Sequence, residues 1–473
     1  MKRSAIEFIT SLKENVDNIF SEKKSLPIVK YYNNKFDIPL GISSLYIKQR
    51  ISRCFIMKSS KFDKKLNNAY IIVSIVKYLS FLIYTLLLSS RKEPIESNNF
   101  ELLIEGIQSK SEIDRWLKLE SKFNTDNTIF LARSDMDSII KSKHNIFVYK
   151  TMRNYETKIV NRLLFKSFFY DIFFLVRNSF NLGINLIHIH TLYVNDYLYY
   201  SNAFKECRAK FMIQDRNLGM TNALKNYLFK ESGGLLSTCT QKNIVRANAN
   251  NLFFDADIFF TLGKKTAEDL FALGARIDSV VPVGSLSMEH MGDIISQNDN
   301  NSKEIDILFI GINAVNENNE DRDGYYDSVK WLANLSIKLP NLGIFIKHHP
   351  SCNNDPIESE IVKNTNIKYI DKALNSYQPS FQSKLIITYG STMGYELIGC
   401  GLKVLFFDPD QKSPFLISSL SGSKNTIYDY DAAQQMLSNI EEISIIKNKT
   451  DYCICNTDVA RSIYQYLIKQ EDK

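Results

Sequence analysis

Short apolar runs, each closing on a glycine or polar corner, recur through the last two thirds of this chain. The clearest series lies in residues 305–410: IDILFIGIN, then GIFIKHHP, then KLIITYGSTMGYELIGCG, then KVLFFDPD. Runs rich in β-branched and aromatic residues, apolar on both faces, predict strands buried inside a parallel sheet. An open parallel sheet places its ligand crevice outside the carboxyl ends of its strands, where these corners fall. Upstream, similar runs predict strands at residues 128–132, 145–149, 186–191, 210–214 and 257–262, and a packed helix over 162–176. Residues 257–288 read as a compact β-α-β unit whose helix stops at Gly274 and whose second strand ends at Gly284.

The polar stretch ISQNDNNSKE after that unit is the best linker in the chain. The pattern therefore predicts a helical N-terminal extension (1–99), a first α/β domain (100–298) and a second α/β domain (303–473). The last helix is free to pack back on the first domain. A length of 473 residues exceeds one ordinary core and agrees with this division. Within the extension, residues 70–88 (YIIVSIVKYLSFLIYTLLL) form one apolar stretch of nearly membrane length. Ser74, Lys77, Ser80 and Thr85 give it a narrow polar stripe, so burial in a domain is the first expectation and an interfacial helix the second. A mid-helix lysine is costly in lipid, which puts a true span third.

A net charge of +6 suits anionic substrates or an anionic membrane surface, and no dense basic stripe with interleaved aromatics points to nucleic acid. Seven scattered cysteines without paired spacing indicate a reducing compartment, and the start lacks an apolar signal-peptide core. Cytoplasmic location is expected, with peripheral contact at the inner face of the plasma membrane.

The corners carry the candidate chemistry. Gly311 and Asn313 end the first strand of the second domain, where backbone can approach a ligand closely. Lys347, His348 and His349 emerge from the next strand, before Pro350 fixes the turn. Strand alternation sends the two imidazoles to opposite faces, so one of them is equally read as a surface or core residue. Gly390 permits a sharp turn, Ser391 or Thr392 caps the helix that follows, and Glu396 lies one turn in. Together these groups suit a nucleotide phosphate with its ribose, while a plain capped helix is the bland alternative. In the first domain Gln214, Asp215 and Arg216 leave a strand, with Asp215 in place for a general base or for a surface turn with Arg216. The Asp-x-Asp pairs at 135, 255, 321 and 408 are too many to single one out for metal, and no zinc, Walker or G-x-S-x-G spacing occurs.

These motifs resemble the GT-B-fold glycosyltransferases of bacterial surface-polysaccharide assembly, in the branch holding sialyl- and Kdo-transferases and CDP-glycerol transferases. The matching residues are Lys347, His349, Pro350, Ser391, Thr392 and Glu396, with Val283, Gly284 and Ser285 as the passage between domains. The resemblance implies two Rossmann-like domains facing a cleft, with a nucleotide-sugar donor (CMP-, UDP- or GDP-linked) in the second and a glycan or lipid-linked glycan acceptor against the first. It implies transfer to a capsule or lipopolysaccharide O-antigen glycan without metal or cofactor. Lys347, His349 and the Ser391–Thr392 helix end would hold phosphate, Glu396 ribose, and Asp215 would act as base. The doubled histidine and the single Ser-Thr pair depart from the commonest patterns and leave the nucleotide base open. A CDP-glycerol-type phosphotransferase, a nucleotide-sugar epimerase or hydrolase, and a non-catalytic scaffold are the other readings.

Overall fold

The computed structural model describes residues 5–53, 64–89, 98–132, 143–148, 167–217, 222–244, 251–290, 303–312, 314, 319–349, 352, 355–407, 425–427, 429–437, 439–456 and 458–471. Seven parallel strands form the first sheet: β1 (Asn98–Ile107), β2 (Thr128–Ala132), β3 (Asn145–Val148), β4 (Cys207–Gln214), β5 (Leu236–Thr240), β6 (Asp255–Thr261) and β7 (Arg276–Pro282). Six make the second: β8 (Ile305–Ile310), β9 (Ile344–Lys347), β10 (Lys368–Tyr369), β11 (Ser383–Thr388), β12 (Val404–Phe407) and β13 (Thr426–Ile427). The fold is α/β, as the strand pattern predicted, with the two Rossmann-like domains that the resemblance implied.

Strand order fixes where a ligand can sit. The first sheet runs β3-β2-β1-β4-β5-β6-β7 and the second β10-β9-β8-β11-β12-β13. Successive strands build outward to one side and then jump to the other, so the switch points are β1/β4 and β8/β11. Helices leave opposite faces at such a point and open a crevice beyond the strand ends. Asp215 and Arg216 follow β4, Gly311 follows β8 and the Gly390–Thr392 turn follows β11.

The N-terminal helices are not a separate layer. Ile9, Val16, Tyr32, Tyr46 and Ile51 share one buried cluster with Leu103, Met212 and Phe259 of the first sheet. Gln49 ties them in, donating to the Phe253 carbonyl at 2.7 Å and accepting from the Ala223 amide at 3.1 Å. The opposite sheet face is closed by Trp116 and by Val459, Ile463 and Leu467 of the last helix, Val459–Glu471. That helix is held at its start by Glu289, which accepts from the Ala460 amide at 3.0 Å.

Two local expectations change. Residues 186–191 begin a helix, Leu186–Glu206, rather than a strand. Asn185 caps it through the His188 amide, and the apolar positions continue at helical spacing through Tyr193, Val194 and Leu198. The alternation LIHIH imitates a strand for five residues only. Strands β1 and β5 also went unread. Glu105 interrupts β1, and Gly106 sits at φ +98° in a register shift between Glu105 and Ile107. The β5 sequence, LSTCT, is mostly small and polar.

The chain returns to the first domain through residues 449–458, and glycines make room for it. A Cβ on Gly284, which has φ +93°, would lie 2.5 Å from the Ile454 carbonyl; one on Gly263 would lie 2.5 Å from that of Asp451. Gly284→Ala is therefore expected to cost about 2–4 kcal/mol, from the left-handed backbone and the clash together. A urea-denaturation midpoint unchanged from wild type would show that the crossover is not seated there.

Candidate functional site at the interdomain cleft

The carboxyl edges of the two sheets meet. Thr392 Oγ1 accepts from the Ile244 amide at 3.1 Å, joining the start of the helix Thr392–Gly399 to the loop after β5. Ser285, just past β7, donates to Glu396 in the same helix. The phosphate-type turn predicted from sequence is built as a helix start: Gly390 takes φ +91°, and Ser391 Oγ caps by accepting from the Met393 amide at 3.3 Å. The Ser391 amide is turned back on Thr388 Oγ1 at 3.0 Å.

Opposite this helix start lies a charge cluster. Arg115 and Trp116 Nε1 both donate to Asp215 Oδ1, the indole at 2.7 Å. Arg216 pairs with Glu112, and Lys242 Nζ donates to Glu112 at 2.9 Å and lies 3.5 Å from Asp215 Oδ2. Three cations thus face two carboxylates. Arg216 Nε is buried without a hydrogen-bond partner. Burial lowers the Lys242 pKa most; Asp215 opposes this, and Arg115 and Arg216 press it down further. Burial alone would raise Glu112, but Lys242, the Gln108 amide and Arg216 hold it below its usual value. The cluster is short of one negative charge, and Lys242 is two residues from Ile244, which touches Thr392.

Several expected roles change with this geometry. Asp215 is a buried anchor for the cations, leaving no free base at that position. Gln214 is buried one residue earlier, where its carbonyl accepts from Lys225 at 2.8 Å and its amide faces Asn226, Ser237 and Thr238. Glu396 already accepts hydrogen bonds within the protein on both oxygens: Ser285 donates to one and Tyr377 Oη to the other at 2.6 Å. Burial raises its pKa above the usual carboxylate value, against the pull of those hydrogen bonds and of Arg115. Ser285 and Glu396 work as a latch between domains, and Gly284 seats the returning chain rather than an acceptor.

The strand end after β9 divides its residues. Lys347 is buried, and its Nζ donates to the Asp371 and Lys372 carbonyls at 3.0 and 3.1 Å, holding the loop after β10. His348 Nε2 meets Glu358 Oε1 at 2.5 Å and its ring stacks on Tyr369. Burial would raise Glu358, but His348 and Tyr325 keep it low. His349 is the exposed member of the three. Gly311 accommodates the Tyr325 hydroxyl, which would lie 2.7 Å from a Cβ there, and donates its amide to the Lys347 carbonyl. β8 alone separates β9 from β11, so His349 and Ser391 emerge two strand spacings apart, about 10 Å. Asn313 and Pro350 lie outside the described residues. Among the described residues no three His, Cys, Asp or Glu side chains converge as metal ligands.

The sequence reading missed Arg115, Lys242, Glu112, Trp116 and Tyr377. Arg115 sits inside a helix, Lys110–Phe123, without any motif, and Lys242 follows the one central strand whose composition hid it.

No protein-family model and no curated protein match the chain. Among solved structures, it is similar to the UDP-GlcNAc 2-epimerase from Neisseria meningitidis bound to UDP-GlcNAc (TM-score 0.46, 10% identity, 79% of this chain and 100% of that one). It is similar too to the wall teichoic acid polymerase TagF (0.43, 11%, 86% and 98%) and to Acinetobacter baumannii MurG (0.42, 10%, 78% and 99%). What the cleft can do chemically is set by its own residues.

Proposed function

We propose that the protein is a sugar transferase whose nucleotide-activated donor lies in the cleft with its phosphates between the two domains. One observation carries this reading. The capped helix start at Ser391–Thr392 touches Ile244, two residues from Lys242, which shares Asp215 and Glu112 with Arg115 and Arg216 in the anion-deficient cluster. The positive end of a helix dipole and guanidinium groups are suited to a phosphate oxyanion, and a desolvated cleft strengthens both. In the transfer step an acceptor hydroxyl attacks the anomeric carbon and the bond to the donor phosphate oxygen breaks. The leaving nucleotide takes the electron pair against the cations, and the hydroxyl proton passes to His349. The acceptor is proposed to be a growing capsule or O-antigen glycan, approaching from the first domain.

The excess positive charge also favours a second reading, transfer of glycerol phosphate from CDP-glycerol, because charge then develops on the transferred phosphoryl group. Incubating the protein with CMP-, UDP- and GDP-sugars and CDP-glycerol, with and without glycan acceptor, separates these. Acceptor-dependent release of nucleotide with a glycosylated product supports the sugar transferase. Donor consumed without acceptor marks a hydrolase or epimerase, and no donor bound at all leaves a scaffold. His349→Ala is expected to reduce turnover about 100-fold or more while donor affinity changes only a few-fold; equal turnover would remove His349 from the chemistry.

A further inference from the structure

We infer that the protein docks on an anionic lipid surface through two neighbouring helices, Ile71–Ser89 and Phe168–Leu182. They lie side by side and antiparallel: Asn68 donates to the Ser179 carbonyl at 3.2 Å, and ten residues on, the Tyr78 ring stacks against Phe168. Their inner faces are anchored. Asn185 donates to Ser74 at 2.8 Å, the Tyr78 hydroxyl meets His190 at 3.1 Å, and Asp171 pairs with Lys35. Their outer faces are apolar and bare: Ile72 is 75% exposed, Val76 58%, Phe169 86%, Phe173 69% and Phe180 67%. The positions 72, 76, 79 and 83 on one helix and 169, 173 and 180 on the other are helical repeats of a single stripe. Two adjacent bare stripes of this size mark a binding surface rather than scattered surface residues.

Charge selects the occupant. Lys77 and Arg177 are exposed on these same helices. Residues 54–92 contain seven Lys and Arg against one acid, Asp63, and residues 150–177 contain six against two. The whole chain carries +6, so the remainder of the chain is net acidic and the basic excess falls in the two stretches of sequence that contain these helices. Aromatic and aliphatic side chains bordered by lysine and arginine suit insertion at the headgroup boundary of an anionic bilayer. The stretch Asn68–Thr85, most of it in the helix Ile71–Ser89, is the one that among the described residues is long and apolar enough to cross a membrane. Ser74 and Tyr78 on its inner side are tied to Asn185 and His190, which fits a helix lying on a surface with its body attached.

The test is co-sedimentation of the full-length protein with vesicles of phosphatidylcholine alone and of phosphatidylcholine with 30% phosphatidylglycerol, a conventional mixture of about this charge density. Binding to the anionic vesicles only, weakened about 10-fold or more in Phe173→Glu and in Val76→Glu at unchanged melting temperature, is the expected result. Lys363→Glu, an exposed charge change in the second domain, should bind like wild type. Failure to bind anionic vesicles, equal binding by both stripe variants, or a dimer in solution that Phe173→Glu dissociates would each overturn the proposal. None of these outcomes depends on the reaction in the cleft.

Discussion

Lys242→Met is expected to weaken nucleotide binding about 10- to 100-fold while leaving stability near that of the wild type. The two halves of this expectation come from one count. With Lys242 present, three cations face Glu112 and Asp215; without it, Arg115 and Arg216 balance them. The folded protein loses a cation that burial and its like-charged neighbours already disfavour. The donor phosphate loses the group that made the cluster attractive to an anion. A purely structural lysine would show the opposite, a lower denaturation midpoint with unchanged affinity. The same lowered pKa gives the pH dependence its sign: affinity is full while Lys242 is protonated and falls as pH rises through a value below that of an ordinary lysine. Titrating nucleotide into wild type and variant across neutral to alkaline pH checks both points.

Lys225→Met should be the most destabilising of the single substitutions considered, at about 3–5 kcal/mol. Lys225 and Glu105 are fully buried, and they pair beneath the first sheet with Gln214 accepting a second hydrogen bond from the lysine. Removing the lysine leaves a buried carboxylate without its counter-charge. The double variant Lys225→Met/Glu105→Leu should recover most of the loss, because an apolar pair of similar volume replaces both charges. Urea unfolding monitored by circular dichroism reads this directly. A double variant as unstable as the single one would show that packing, not the unpaired charge, sets the cost.

Continuous apolar runs made four strands of the second sheet readable, IDILFI, IFIK, SKLIIT and VLFF, whereas the two-residue edge strands β10 and β13 are too short to leave such a run. The first sheet was harder. Strand β1 holds Glu105 and β5, across β4 from it, is mostly polar; Lys225 satisfies the first, and Asn226 and Gln214 the second, from elsewhere in the chain. Such pairings span eleven to 120 positions and leave no local pattern. The cleft shows the same limit. Residues at strand ends were found, since a corner after an apolar run is visible in a single sequence. Their partners were not: Arg115 reaches Asp215 across 100 positions, and Glu396 meets Ser285 across 111. Long-range partners therefore hold Asp215, Lys347 and Glu396, while His349 is exposed and Ser391 half-buried.

Hydrogen–deuterium exchange with saturating CMP, UDP, GDP or CDP tests the two-sided grip on phosphate most directly. One of these nucleotides is expected to slow exchange at once in residues 241–244 of the first domain and 391–394 of the second. Protection confined to one domain, or absent with all four, would contradict it.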